Sequence, residues 1–324
     1  VSHHVCRALR VASISSTLVL TGCGHQASLP VEAGGRVPVV VWNLAFALGL
    51  AMFATGCSVL SVVSAFSPTG TANPVATEVF DAAHGLTLDI YKPKVSETEA
   101  PVPVVVFFYG GAWKDGSRQR YEFVASTLLE GDVMVVIPDY RLYPKVVFPA
   151  FVRDGAAAIT WVQQNIGQYG GDPDNIFLMG HSSGAHIAAL LYFDQRYLQN
   201  SGAALKPCGF VGLAGPYDFL PLASPEMQSL FPEQERAASQ PVNFVTGEEG
   251  PVLLIHGLQD NRVKPRNSQS LANTITESGG RVDMLLYEKA GHVRVLMGLA
   301  KSFRWVSPVA ADTLRFIKEN NCSQ

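Results

Sequence analysis

The run Gly180-His181-Ser182-Ser183-Gly184 sets a serine between two glycines, the G-x-S-x-G spacing whose chemistry needs a sharp strand-to-helix turn with the hydroxyl exposed. A serine hydroxyl is a poor nucleophile at neutral pH. An imidazole has to accept its proton, and a carboxylate has to hold that imidazole in the right tautomer. Both lie downstream, in the chain order this motif uses: Asp260 in LLIHGLQDNRV and His292 in LLYEKAGHVRV. Attack on an ester carbonyl develops an oxyanion, which needs preorganised donors worth about 3 kcal/mol each. FFYGGAW is the natural source, with the N–H groups of Gly111 and Ala112 as donors and that of Ser183, at a helix N-terminus, completing the set.

Each of these residues also has a blander reading. The five-residue motif alone is weak evidence, and a Gly-Gly pair marks turns anyway. Context raises the motif above a turn serine. A buried strand, NIFLM, leads in, and SSGAHIAALLYF leads out with small residues first and apolar ones at helical spacing. The other histidines read as structural: His256 ends a strand, His186 sits a turn along the helix after the serine, and His84 lies in a hairpin. Asp218, on a GPYDF loop, and Asp283, inside a strand, are the runner-up acids. Asp154, in FPAFVRD, reads as part of a structural ion-pair set. Trp113 reads equally as pocket lining or as a core aromatic.

The elements that must position these groups follow a rhythm. TEVFDAAHGLTLDIYKP reads as a hairpin turning near His84-Gly85, and VPVVVFFY is too continuously apolar for a strand with one wet face. A helix around Tyr121–Glu130, strand DVMVVIP, a helix over Phe151–Asn165, strand NIFLM, the helix after Ser182 and strand GFVGLAG follow. The chain ends with strand PVLLIHG, a helix over Asn267–Ser278, strand VDMLLYE and a last helix N-capped by Ser307 with Pro308 in its first turn. Alternating strands and helices predict an α/β fold. It has a mostly parallel sheet of about eight strands covered on both faces, with ligands at the carboxyl ends of the strands. Loops after Phe108, Met179, His256 and Glu288 then share one rim.

Composition narrows the functions. The chain has 324 residues, 48% of them hydrophobic and 16% charged, with a net charge of −3. That suits a large buried core and excludes disorder. The basic residues are scattered, with no stripe of the kind that neutralises phosphates, so nucleic acid is not an expected partner. The five cysteines form no CxxC pair, which argues against a zinc or redox centre. No metal or cofactor is expected. Cys208 and Cys322 can pair only if the fold brings them together.

The front of the chain differs from the body. From Val37 to Thr77 there is no Asp, Glu, Lys or Arg, and an apolar run after Arg36 ends at Ala54-Thr55-Gly56-Cys57. This reads as an export signal with a lipobox-like end, the cysteine thiol taking lipid. A second such end is Leu20-Thr21-Gly22-Cys23. The apolar run is also long enough for an uncleaved membrane anchor. Residues 1–66 are assigned to export, 67–76 to a linker and 77–324 to the catalytic body, with a small lid-like insertion at about 216–250. The expected location is the cell envelope or outside the cell, with membrane attachment through Cys57 or Cys23.

Taken together, YGGAW, DYRLYP with FPAFVRD, YGGDPDNIFLMGHSSGAH, GLAGPYDF, LLIHGLQDNRV and KAGHV resemble the α/β-hydrolase superfamily. Within it they are similar to bacterial carboxylesterases related to hormone-sensitive lipase and to the feruloyl-esterase-like group. The resemblance spans Thr77 to about Asn320. It implies a Ser182–His292–Asp260 triad, an oxyanion hole of Gly111, Ala112 and Ser183, and hydrolysis of short or medium acyl esters through an acyl-enzyme. Tyr109 stands where the family carries a histidine and Ala112 where it carries a third glycine, which leaves the bracing of that loop open. A large N-terminal cap is absent, and Phe219, Leu222 and Phe244 in the insertion are candidate pocket residues. The alternatives are an amide hydrolase similar to kynurenine formamidase and an inactive hydrolase-fold binding lipoprotein.

Overall fold

The computed structural model describes residues 13–14, 17–22, 25–30, 72–94 and 100–322. The chain divides into two units, Val1–Cys57 and Ser58–Gln324. In the first, Ser13–Ile14 (β1), Thr17–Gly22 (β2) and His25–Pro30 (β3) pair as an antiparallel sheet. Cys23, Cys57 and the apolar run beginning at Val37 lie outside the described residues.

The second unit is organised by one eight-stranded sheet. Ala76–Asp81 (β4) and Leu86–Tyr91 (β5) form the expected antiparallel hairpin, with an irregularity in register between Val79 and Asp81. Val102–Phe108 (β6), Met134–Pro138 (β7), Gly171–His181 (β8), Gly209–Leu213 (β9), Val252–Gly257 (β10) and Val282–Tyr287 (β11) complete it, in the order β11-β10-β9-β8-β6-β7-β5-β4. From β7 to β11 every neighbouring pair is parallel, and β5 joins β7 antiparallel. The continuous apolar runs of β6, β7, β9 and β10 are explained by their positions, because a strand covered on both faces has no wet side on which to alternate.

The helices are Glu122–Leu128 (α1), Ala150–Asn165 (α2), Ser183–Phe193 (α3), Arg196–Ser201 (α4), Pro225–Leu230 (α5), Arg266–Glu277 (α6), His292–Met297 (α7) and Val309–Glu319 (α8). Every residue of α3 is buried. That agrees with its having no polar face, since a helix apolar all round has to be enclosed. The expected cap of α8 is corrected. Pro308 occupies the cap position, and the Ser307 hydroxyl instead donates to the Arg294 carbonyl at 3.3 Å. Cys208, just before β9, is disulfide-bonded to Cys322 beyond α8. Among the described residues no helix is long and apolar enough to cross a membrane.

Strand order reverses between β6 and β8: after β7 is laid on one side of β6, the chain crosses to add β8 on the other. Helices leaving such neighbours cover opposite faces, so a crevice opens at the carboxyl ends of the two strands. The glycine loop leaves β6 and the serine leaves β8 at this point, with Phe108 in register with Gly180.

Candidate active site

Ser182 sits at φ 55°, ψ −125°, a conformation costing about 1–3 kcal/mol for a residue with a side chain. Its surroundings enforce it. The Ser182 N–H bonds the Leu213 carbonyl at 2.9 Å, and α3 begins at the next residue, packed so close to β6 that a Cβ on Gly184 would overlap the Phe108 and Tyr109 carbonyls. The hydroxyl is thereby raised at the mouth of the crevice.

His292 opens α7 in the loop after β11. Its Nε2 lies 2.9 Å from Ser182 Oγ, and its Nδ1 lies 2.6 Å from Asp260 Oδ2. With Nδ1–H donating to the carboxylate, Nε2 is free to accept the serine proton. Asp260 is buried, and its other oxygen accepts the N–H groups of Arg262 and Val263, both at 2.9 Å. Burial alone would raise this carboxyl, but hydrogen bonding from His256 and His292 and from the Val263 N–H holds it well below the usual carboxylate range. The structure therefore brings Ser182, His292 and Asp260 into one hydrogen-bonded chain. The runner-up acids stay apart from it: Asp283 is exposed on β11, and the Asp218 carboxylate accepts from the Ser270 hydroxyl at 2.6 Å.

His256 is more than a packed core residue. Its ring is fully buried, Nε2–H donates to the Val263 carbonyl at 2.9 Å, and the same nitrogen stands 3.3 Å from Asp260 Oδ2. Ser268 donates to Nδ1 at 2.8 Å and fixes the tautomer. The carboxylate thus faces two imidazoles. The spacing of His256 and Asp260 across the end of β10 was the available signal. His84, by contrast, pairs with Asp81 in the exposed hairpin.

The glycine loop carries three consecutive positive φ values, Gly111 at 147°, Ala112 at 54° and Trp113 at 59°. A Cβ on Gly111 would overlap the Asp115 carbonyl, so only glycine fits. Among the described residues the N–H groups of Gly111 and Ala112 donate to no backbone carbonyl. The bracing left open by Tyr109 comes from three stacked tyrosines. Tyr109 lies between Tyr121 (centroids 5.5 Å) and Tyr140 (4.6 Å). The Tyr121 hydroxyl donates to the Gly110 carbonyl at 3.0 Å, and that of Tyr140 to the Tyr109 carbonyl at 2.7 Å. Tyr109 itself donates to Asp139, which with Asp89 holds Arg118. In a trans peptide the N–H opposes its carbonyl, so the phenols on the Tyr109 and Gly110 carbonyls fix the Gly110 and Gly111 amides, and the Lys114 and Asp115 N–H groups on the Gly111 carbonyl fix that of Ala112. Nothing in the spacing of Tyr121 and Tyr140 announced this role.

Trp113 is buried, packed tilted against Phe151 and Phe219 and edge-on to Phe231, with its indole N–H on His186 Nδ1. Of its two readings the core aromatic holds. Phe219 belongs to the same cluster, whereas Phe244 lines a separate cavity of about 540 Å³ with Phe193 and Arg196. That cavity contains no member of the triad or the glycine loop. Asp154 takes two-point contacts from Arg141 at 2.7–3.1 Å, the structural ion pair expected of it. Among the described residues no group of three or more His, Cys, Asp or Glu could hold a metal ion.

Residues 88–275, over half the chain, match the family BD-FAE. A probable isoprenylcysteine alpha-carbonyl methylesterase of Arabidopsis thaliana is 30% identical over 235 residues, covering 65% of this chain and 49% of that protein. Esterase LipC of Mycobacterium tuberculosis is 30% identical over 227 residues, covering 63% and 56%. The chain thus spans about half the length of the curated relatives it matches. In fold, it superposes on a truncated carbohydrate esterase from gut microbiota with a TM-score of 0.65 at 23% identity, over 78% of this chain and 98% of that one. The matched segment runs from β5 into α6 and includes the glycine loop, the serine turn and Asp260, and on that ground the chain belongs to the BD-FAE family, built on the α/β-hydrolase fold.

Proposed function

We propose that the protein is a serine carboxylesterase that hydrolyses short or medium acyl esters through an acyl-enzyme. The observation that carries this reading is the contact chain Ser182 Oγ–His292–Asp260, at 2.9 and 2.6 Å, with the glycine loop leaving the neighbouring strand β6. Ser182 Oγ attacks the ester carbonyl carbon while its proton passes to His292 Nε2. The oxyanion formed is held by the N–H groups of Gly111, Ala112 and Ser183. As the ester C–O bond breaks, the imidazolium returns that proton to the departing alkoxide. Water then enters, gives a proton to the same nitrogen, and its hydroxide adds to the acyl carbon; as the acyl–Oγ bond breaks, the imidazolium returns that proton to Ser182 Oγ and the carboxylic acid leaves. Asp260 stays ionised and stabilises the imidazolium. Esterase relatives such as LipC support the reaction class.

The test is labelling with a fluorophosphonate, followed by kinetics on a nitrophenyl-ester chain-length series. Label is expected on Ser182, lost in Ser182→Ala and kept in Ser183→Ala. Label on Ser183, or none, would overturn the reading, and preference for anilides would move it to the amide-hydrolase alternative.

The same reading puts the mature protein in the cell envelope or outside the cell, attached through a lipidated Cys57 or Cys23. The Cys208–Cys322 disulfide supports this, since such bonds persist in oxidising compartments. Intact mass of the membrane-extracted protein, with Cys57→Ala and Cys23→Ala variants, tests it.

A further inference from the structure

Charge on the rim of the crevice is uneven. Around the glycine loop, opposite charges neutralise one another: Lys114 pairs with Glu226 at 2.8 Å and Arg120 with Asp115 at 3.1 Å. The two loops that carry Asp260 and His292, residues 258–266 and 288–294, are different. They expose Arg262, Lys264, Arg266, Lys289 and Arg294 against a single exposed acid, Glu288. Among the described residues none of these cations forms an ion pair with a carboxylate. Lys264 reaches only the Asn261 amide oxygen at 3.0 Å, and Arg294 the Lys289 carbonyl at 2.9 Å.

The loops lie side by side, joined by Leu258 N–H to the Tyr287 carbonyl and Gln259 N–H to the Ala290 carbonyl. Their cations therefore repel one another. Arg266 also begins α6, a helix without an acid in its first turn, so it faces the positive end of a helix dipole. Charges held against both effects, on a chain whose net charge is −3, give the two loops that carry Asp260 and His292 a local positive field.

Which part of an ester meets that field follows from the proton's path. The leaving alkoxide must take its proton from His292 Nε2, so the leaving group extends over the loops bearing His292 and Asp260, while the carbonyl oxygen faces the glycine loop. Resting on the serine-esterase reading, we infer that the preferred substrates are esters of anionic alcohols, carrying a carboxylate, sulfonate or phosphate a few bonds from the ester oxygen.

The experiment compares 3-acetoxybenzoate with the neutral 3-acetoxybenzamide, which share an acyl group, and follows the ratio of their kcat/KM values. Raising ionic strength from about 0.01 M to about 1 M shrinks the screening length from about 30 Å to about 3 Å and is expected to lower the ratio several-fold in the unmodified protein. The combined variant Lys264→Gln, Lys289→Gln, Arg294→Gln is expected to show the lowered ratio already at low salt. A ratio that neither salt nor the variant moves overturns this inference and leaves the esterase reading standing. Failure to hydrolyse either ester overturns both. The salt series needs no variant to fold.

Discussion

The indole N–H of Trp113 donates to Nδ1 of His186 across 3.2 Å, and Nε2–H of the same ring donates to the Ser239 carbonyl at 2.7 Å. One imidazole on α3 therefore ties the glycine loop to the connection between β9 and β10. His186→Phe keeps the ring volume but leaves a buried indole donor and a buried carbonyl unpaired, at about 1–3 kcal/mol each. Thermal denaturation should show that loss. Kinetics should show kcat falling with KM little changed, because the Ala112 amide would be displaced where transition-state charge develops. A matching rise in KM would count against the link.

Asp260 accepts from two imidazoles, so its replacement disturbs more than one tautomer. Asp260→Asn cannot accept the imidazoles at one position and the Arg262 and Val263 N–H groups at the other, because one of its two terminal groups is now a donor. Its kcat should drop by about 10⁴-fold, with ester binding nearly intact. Steady-state kinetics in the variant checks this, and a loss below tenfold would refute it.

Bracing by the tyrosines predicts a different pattern. Tyr121→Phe and Tyr140→Phe each release one loop carbonyl, Gly110 or Tyr109, from a phenol. Each should cost about 1 kcal/mol of stability and lower kcat several-fold. A double-mutant cycle should show coupling, since both act on adjacent residues of one loop.

Acid should weaken the protein before its carboxylates titrate. Burial pushes His186 down to about 4, and burial with the neighbouring His292 pushes His181 down to about 3, from an ordinary 6.5. Below pH 6.5 the unfolded chain binds protons that the folded chain refuses, so stability falls as pH drops from 6.5 towards those values. Each group contributes a slope of about 1.4 kcal/mol per pH unit. Asp260, whose folded carboxyl is depressed, adds its own loss only below about 3.8. Urea midpoints between pH 7 and pH 4 should decline, and less steeply in His186→Phe.

The Cys208–Cys322 bond closes a loop with a sequence separation of 114. Closing a loop of that size restricts the unfolded chain by roughly 5 kcal/mol in the entropy model. Cys208→Ser should lower the urea midpoint accordingly. Ester turnover at low temperature should persist, because neither cysteine touches the triad loops.

Spacing and periodicity were sufficient for the strand-helix alternation, the both-sides burial of β6, and the choice of Ser182, Asp260 and His292 as chemical candidates. These are local properties: a glycine that admits a close approach, an apolar run, a residue type at a strand end. Strand order, the three tyrosines behind the glycine loop, the second imidazole on Asp260 and the bond between Cys208 and Cys322 depend on which distant segments become neighbours. So does the rim charge, since Arg262–Arg266 and Lys289–Arg294 look scattered along the chain and gather only when β10 and β11 lie side by side. Hydrogen bonds and electrostatic fields act over ångströms in space, whereas the sequence records only distance along the polymer. Ser307 shows the same limit: its type suited a helix cap, but Pro308 takes the cap position and the Ser307 hydroxyl donates to the Arg294 carbonyl that packing brings in.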